Sequence, residues 1–170
     1  MPITIRPPRP EELEQLRAIE WAAGTLFAGT KFAAVAEHEP ASVEELAAYA
    51  RDDRAWVATD ADDVPAGYAV VDIVDGLAHL EQLSVLPDHG RQGIGTALLE
   101  HTCAWARQHG YGAVTLTTFI DIAWNGPYYA QRGFAALHDD ELGPELRALR
   151  ALEAEHGLDP EQRVCMRRTV

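Results

Sequence analysis

The sequence predicts an α/β domain with a central mixed, mostly antiparallel sheet flanked by helices, on three observations. Three strand-like runs follow one another between positions 55 and 86, separated by turn-forming aspartates and a glycine, which is the pattern of a hairpin meander. A glycine-bearing loop then opens an apolar-periodic helix that leads into another alternating run. Such a strand–helix–strand crossover places its two strands parallel. Further helical patterns precede and follow this centre. At 170 residues one domain over positions 1–170 is expected, a length that buries about 70% of the surface its unfolded chain exposes.

Ile3 to Arg6 reads as a short strand. From Pro10 to Ala23, Leu13, Leu16, Ile19 and Ala23 recur at helical spacing behind an acidic first turn. Gly24 and Gly29-Thr30 break that pattern, and a second helix runs from a Ser42 N-cap towards Asp52, with Glu44 and Glu45 close to a capping box. The meander strands are Ala55 to Thr59, Gly67 to Val71 and Ala78 to Leu86, with Asp60-Ala61-Asp62-Asp63 and Asp75-Gly76 as turns.

In the following helix Ile94, Ala97, Leu98, His101 and Trp105 share a face, and His109-Gly110 stop it. Ala113 to Thr118 is the crossover's second strand. Trp124 to Arg132 forms a short helix ended by Gly133, and the apolar run Phe134 to Leu137 reads as a strand. Leu142, Leu146, Leu149 and Leu152 mark a further helix, with Pro144 near its start and Gly157 after its end. Those leucines form a core stripe or the face of a homodimer. Val164 to Met166 is the last strand, and Asp139-Asp140-Glu141 reads as a solvated helix start.

Composition excludes several classes of function. With 47% hydrophobic and 24% charged residues the chain is an ordinary globular protein. Fourteen basic against 27 acidic residues give a formal charge of -13, which repels phosphate backbones, argues against nucleic-acid binding and welcomes a cationic substrate. Cys103 and Cys165 lie far apart in apolar surroundings and read as buried free thiols, with neither a disulfide framework nor a metal site. No run is long and apolar enough to span a bilayer, and the start has no signal-peptide core, so a cytoplasmic location without membrane attachment is expected.

The loop Gly90-Arg91-Gln92-Gly93-Ile94-Gly95 joins an apolar strand to a helix. Such a turn presents backbone N–H groups and the positive end of the helix dipole, so it suits a phosphate or pyrophosphate. By itself the pattern serves equally as a structural turn. It lacks the Walker lysine and the third glycine of a dinucleotide fingerprint, and it follows a mid-chain meander where a dinucleotide fold has its first strand. A nucleotide-binding enzyme is thereby disfavoured.

Leu83 to Leu99, read through this loop, resembles the acetyl-CoA segment of the GNAT superfamily of N-acetyltransferases. Asn125-Gly126-Pro127-Tyr128-Tyr129-Ala130-Gln131-Arg132-Gly133-Phe134 resembles that family's later segment, a tyrosine-bearing helix ending in Gly-Phe. The resemblance implies acetyl-CoA as co-substrate, no metal, and a primary amine of a small molecule or peptide as acceptor. It gives the backbone of Leu83, Ser84 and Val85 to the pantetheine arm, and the amides from Gly90 through Arg91, Gln92, Gly93, Ile94 and Gly95 to Thr96 to the pyrophosphate. Gly90 stands where the family usually carries arginine or glutamine; Arg91 follows one place later and either contacts phosphate or faces solvent.

The resemblance also implies direct attack by a neutral amine on the thioester, with Tyr129 as the acid that protonates the departing thiolate. Tyr129 read without it is a packed aromatic. Asn125 either contacts CoA or pins its short helix. For the base Glu81 is the first candidate, on the strand face shared with Leu83 and Val85, and its other reading is a rim carboxylate paired with a neighbouring strand; His79 on the same face is either an alternative base or a strand-edge histidine, and Glu20 at the end of the first helix instead contacts the acceptor. The rival function is a non-catalytic acyl-CoA-binding module that keeps the loop without acceptor chemistry.

Overall fold

The computed structural model describes residues 3–90 and 92–170, at positions 36 and 37 the backbone only. Seven strands hydrogen-bond in the order β1-β2-β3-β4-β5-β7-β6, and helices flank them, so the α/β mixed sheet is the observed fold. The chain divides into two compact units: the part up to Val71 with Gln82–Thr102, and Asp72–Glu81 with Cys103–Val170. Strands β3 (Pro65–Val74) and β4 (Leu77–Val85) run through both.

In the first unit, β1 (Thr4–Arg6) pairs antiparallel with β2 (Ala55–Thr59), and β2 with β3. Helix α1 (Leu13–Gly24) turns Leu13, Leu16 and Ile19 inward at the predicted spacing, and α2 (Val43–Arg51) adds Leu46. These close over Ala55, Val57, Tyr68 and Val70 as one core cluster. Burying each large side chain stabilises the fold by about 1.5–3 kcal/mol. Ser42 caps α2 as the sequence predicts, its hydroxyl accepting from the Glu45 amide at 3.1 Å.

Helix α3 (Ile94–Gln108) departs from the predicted face. Its buried positions are Ile94, Leu98, Leu99, Thr102, Cys103 and Ala106, while Ala97, His101 and Trp105 are half-buried. The pattern misled because Thr102 counts as polar. Its hydroxyl donates to the Leu98 carbonyl at 2.9 Å, which satisfies it within the helix and lets it face the core. His101 packs edge-on against Trp56, ring centroids 5.0 Å apart.

In the second unit β3 and β4 meet at Asp75-Gly76, whose φ values of 52° and 74° are those of the tight primed hairpin turn. β4 pairs parallel with β5 (Ala113–Phe119) at Ala78↔Val114 and His79↔Thr115, as the crossover predicts. β5 pairs antiparallel along its whole length with β7 (Arg163–Thr169). The short helix α4 (Gly126–Ala130) follows β5. The run Phe134–Leu137 contributes only a two-residue edge strand, β6 (Ala135–Ala136), both residues exposed. Phe134 is instead buried, edge-on to Tyr129. Both cysteines are buried, and neither is in a disulfide.

Helix α5 (Pro144–Glu155) also departs from the leucine stripe. Leu142 and Leu146 pack with Cys165, but Leu152 is 49% exposed. The inward position one step later is Glu153, held by Arg163 at 3.1 Å. At the other end, Asp75 caps the helix from the hairpin turn: its carboxylate accepts from the amides of Glu145 and Leu146, each at 2.9 Å. A Cβ on Gly143 would lie 2.4 Å from that carboxylate. Gly143→Ala is therefore expected to expel the cap and cost about 1 kcal/mol, read as a lowered thermal midpoint. Among the described residues no helix is long and apolar enough to cross a membrane.

Candidate active site

The β4–β5 ladder stops at His79, although β4 continues to Val85; from Leu80 onward β4 has no β5 partner. Backbone groups of Leu83, Ser84 and Val85 lie on this stretch. Ser84 is buried, and its hydroxyl accepts from the Gln82 amide nitrogen at 2.8 Å. A feature absent from the sequence-based expectation holds this stretch close to β3. A Cβ on Gly67 would meet the Ser84 carbonyl at 2.9 Å and Ile94 Cγ2 at 3.0 Å, so only glycine lets β3 approach the strand end and the helix start. A glycine inside a strand pattern was the available signal.

After β4 the chain makes a 3-10 turn over Pro87–His89 and reaches Gly93, whose φ of 81° lies in the left-handed region. The Gly93 carbonyl accepts from the Ala97 amide at 2.9 Å and so begins α3. The amides of Ile94, Gly95 and Thr96 fall in the first turn, where no intrahelical acceptor exists. Gln92 is exposed beside them. The glycine at 93 is needed for its backbone conformation, since a Cβ there would meet nothing within 4 Å. Arg91 lies outside the described residues. His89 carries a buried Nδ1 with no hydrogen-bond partner among the described residues.

In the second unit Tyr129 sits in α4, its ring edge-on to Tyr128 at 5.2 Å and to Phe134 at 5.7 Å. Burial, then the neighbouring Tyr128 phenol, push its own phenol well above the usual value; Arg132 pulls weakly the other way. The Asn125 carbonyl accepts from the Tyr129 amide at 3.0 Å, and the Asn125 side chain accepts from the Thr118 hydroxyl at 2.8 Å. Asn125 thus pins the start of α4 to β5. Gly126 is also required there: a Cβ would lie 2.9 Å from the carbonyls of Phe119 and Ile120. Tyr128 points elsewhere, under the Arg132 guanidinium at 3.7 Å.

Glu81 stands on β4 with its side chain 40% exposed. Burial of its carboxyl group is the largest influence on it, and Asp72 and Glu153 add negative charge. Together they push its pKa up to about 7, against an opposing pull from Arg163. His79 is fully buried, its Nδ1 2.9 Å from the Thr115 hydroxyl, and burial lowers its pKa to about 4. It is therefore in its neutral form near pH 7, a weak base with Nδ1 already engaged. Glu20, in the first unit, accepts a short hydrogen bond from the Tyr68 hydroxyl, and burial raises its pKa. The structure thus groups Leu83 to Thr96 in the first unit, and Glu81, Asn125 and Tyr129 in the second.

A model of the acetyltransferase (GNAT) family matches residues 13–134. The chain belongs to this family. Solved structures with the GNAT fold align over nearly its whole length. A GNAT-family acetyltransferase from Staphylococcus aureus Mu50 is similar at 13% identity, with a TM-score of 0.75 and 99% of each chain covered. The PaiA N-acetyltransferase of Thermoplasma acidophilum, solved with coenzyme A, is similar at 17% identity, TM-score 0.66, over all of both chains. The ribosomal-protein-S18-alanine N-acetyltransferase of Escherichia coli is similar at 20% identity and TM-score 0.67, covering 99% of this chain and 94% of that one.

The residues present fit the co-substrate that the GNAT fold implies. A left-handed glycine, three first-turn amides and the buried, unpartnered His89 nitrogen suit a polar phosphate group. The unpaired stretch of β4 suits an extended amide-bearing arm, which adds to a strand through main-chain hydrogen bonds. Among the described residues no group of three or more His, Cys, Asp or Glu side chains is placed to hold a metal ion.

Proposed function

We propose that residues 1–170 form one N-acetyltransferase domain that moves an acetyl group from acetyl-CoA to a primary amine of a small molecule or peptide by direct attack. The observation that carries this reading is the left-handed Gly93 at the start of α3, next to the stretch of β4 without a β5 partner, in a chain that the GNAT family model matches. A base is most effective when its pKa lies near the working pH, and burial with the nearby Asp72 and Glu153 charges pushes Glu81 in that direction.

Bound acetyl-CoA supplies the thioester carbon and the leaving thiolate. The amides of Gly90 and of Gln92 to Thr96 would take its pyrophosphate, with Arg91 as a further candidate contact, and the main chain of Leu83, Ser84 and Val85 would take the pantetheine arm. Asn125 keeps α4 in place on β5, and in this reading also contacts CoA. Glu81 accepts the proton that the amine gives up, directly or through one water. Tyr129, protonated throughout the working range, donates its hydroxyl proton to the sulfur as the C–S bond breaks. The formal charge of -13 favours a cationic acceptor. Two cysteines outside any disulfide suit a reducing cytoplasm.

The test is thiol release from acetyl-CoA across a panel of primary amines, beside calorimetry with CoA. Turnover with at least one amine supports the reading. CoA binding without turnover on any amine establishes the non-catalytic module, and absence of CoA binding removes both. Gly93→Val is expected to weaken CoA binding about tenfold or more, because a left-handed backbone costs an L-residue about 1–2 kcal/mol and the chain relieves that strain by dismantling the loop.

A further inference from the structure

Helix α5 brings a charge to the face of the sheet that carries Glu81. Glu153, in its last turn, accepts from the Thr117 hydroxyl at 2.5 Å and from Arg163 Nη2 at 3.1 Å, with side chains 16% and 11% exposed for Glu153 and Arg163. Arg163 also donates to Thr117 at 3.0 Å and lies 4.6 Å over the Phe119 ring. Alternation sets Thr115 and Thr117 on one face of β5, and His79 and Glu81 on one face of β4. The contact between His79 and Thr115 shows that these faces coincide. Glu81, whose carboxylate lies 3.8 Å from His79 Nε2, and the Thr117–Glu153–Arg163 group therefore stand on one side of the sheet. The charged or titratable groups facing Glu81 are Asp72 of β3, neutral His79 of β4, Glu153 of α5 and Arg163 of β7. The Asp75 cap fixes the far end of α5, so Glu153 is delivered by a helix anchored at both ends.

We propose that Glu153 and Arg163 are positioning residues for Glu81, an opposed pair of fixed charges that sets the pH at which Glu81 takes up the acceptor's proton. This rests on the reading of Glu81 as the base. The Glu153 carboxylate disfavours a second negative charge nearby and raises the proton affinity of Glu81, whereas the Arg163 guanidinium lowers it.

Glu153→Gln and Arg163→Gln keep a hydrogen-bonding group in place while each removes one charge. The full-length protein is examined in two ways: the acid limb of kcat/KM against pH, with kcat/KM referred to the neutral fraction of the amine, and the Glu81 carboxyl midpoint by carbon-13 NMR without substrate. Glu153→Gln is expected to move both to lower pH and Arg163→Gln to higher pH, each by about half a pH unit or more. Glu153→Asp and Arg163→Lys are expected to restore the native midpoint. A purely structural pair would not move the two variants in opposite directions. Unmoved midpoints, or shifts of one sign in both variants, would overturn the inference while leaving Glu81 as base, provided that the limb disappears in Glu81→Gln. A limb that persists in Glu81→Gln overturns the base reading and this inference together.

Discussion

Tyr129→Phe is expected to lower kcat by about a hundred- to ten-thousand-fold and to leave CoA affinity unchanged. The native phenol is pushed well above its ordinary value by burial, so it is protonated at every pH at which the enzyme is assayed. It is then a weak acid held in its protonated form, able to donate a hydrogen bond to a departing thiolate, and does not compete as a base. Phenylalanine keeps the edge-on packing against Tyr128 and Phe134, so the variant tests the hydroxyl and not the fold. The measurement is single-turnover thiol release beside calorimetric titration with CoA. Native turnover in the variant would remove Tyr129 from the acid role; lost CoA affinity would make it a binding residue.

The second large effect concerns Glu81. A carboxylate base acts in its ionised form, and this one ionises at about pH 7. Native kcat/KM, referred to the neutral fraction of the amine, is therefore expected to climb tenfold per pH unit below about 7 and to level off above. In Glu81→Gln the limb disappears and the plateau falls by about a hundredfold or more. Stability moves the other way. The folded chain binds the Glu81 proton more tightly than the unfolded chain, whose carboxyl titrates near 4.5. The neutral form thus supports the fold at low pH, and that support is lost as pH rises from about 4.5 to 7. The glutamine variant loses nothing over that window, so at pH 8 it is expected to melt above the native protein. A variant that is slower and more stable marks a carboxylate kept in an unfavourable place for chemistry.

Much of the architecture is legible in residue order. Leu13, Leu16 and Ile19, the fully buried Ala55–Thr59 strand and the Asp75-Gly76 turn all lie where period and turn chemistry place them. The glycine loop was recognisable because Gly93 must supply a left-handed backbone, a local requirement. Thr102 and Glu153 were not legible as inward-facing residues, since their polarity reads as solvent exposure until a partner is known: a carbonyl one turn back for one, Arg163 and Thr117 for the other. Leu152 misled for the converse reason, because one side of α5 was already taken.

The sequence by itself determined the family, the order of strands and helices, and which side chains have chemistry to offer. These depend on local periodicity, on backbone conformations that only glycine adopts, and on two separated motifs. Only the tertiary structure decided which carboxylate has a near-neutral pKa. No feature of the sequence separated Glu81 and His79, as candidate bases, from Glu20, as a candidate contact to the acceptor. Burial neutralised His79, a hydrogen bond from Tyr68 engaged Glu20, and Asp72 and Glu153, distant in the chain, met around Glu81. A proton affinity is set by the charges and the solvent within a few ångströms, and those neighbours are chosen by folding.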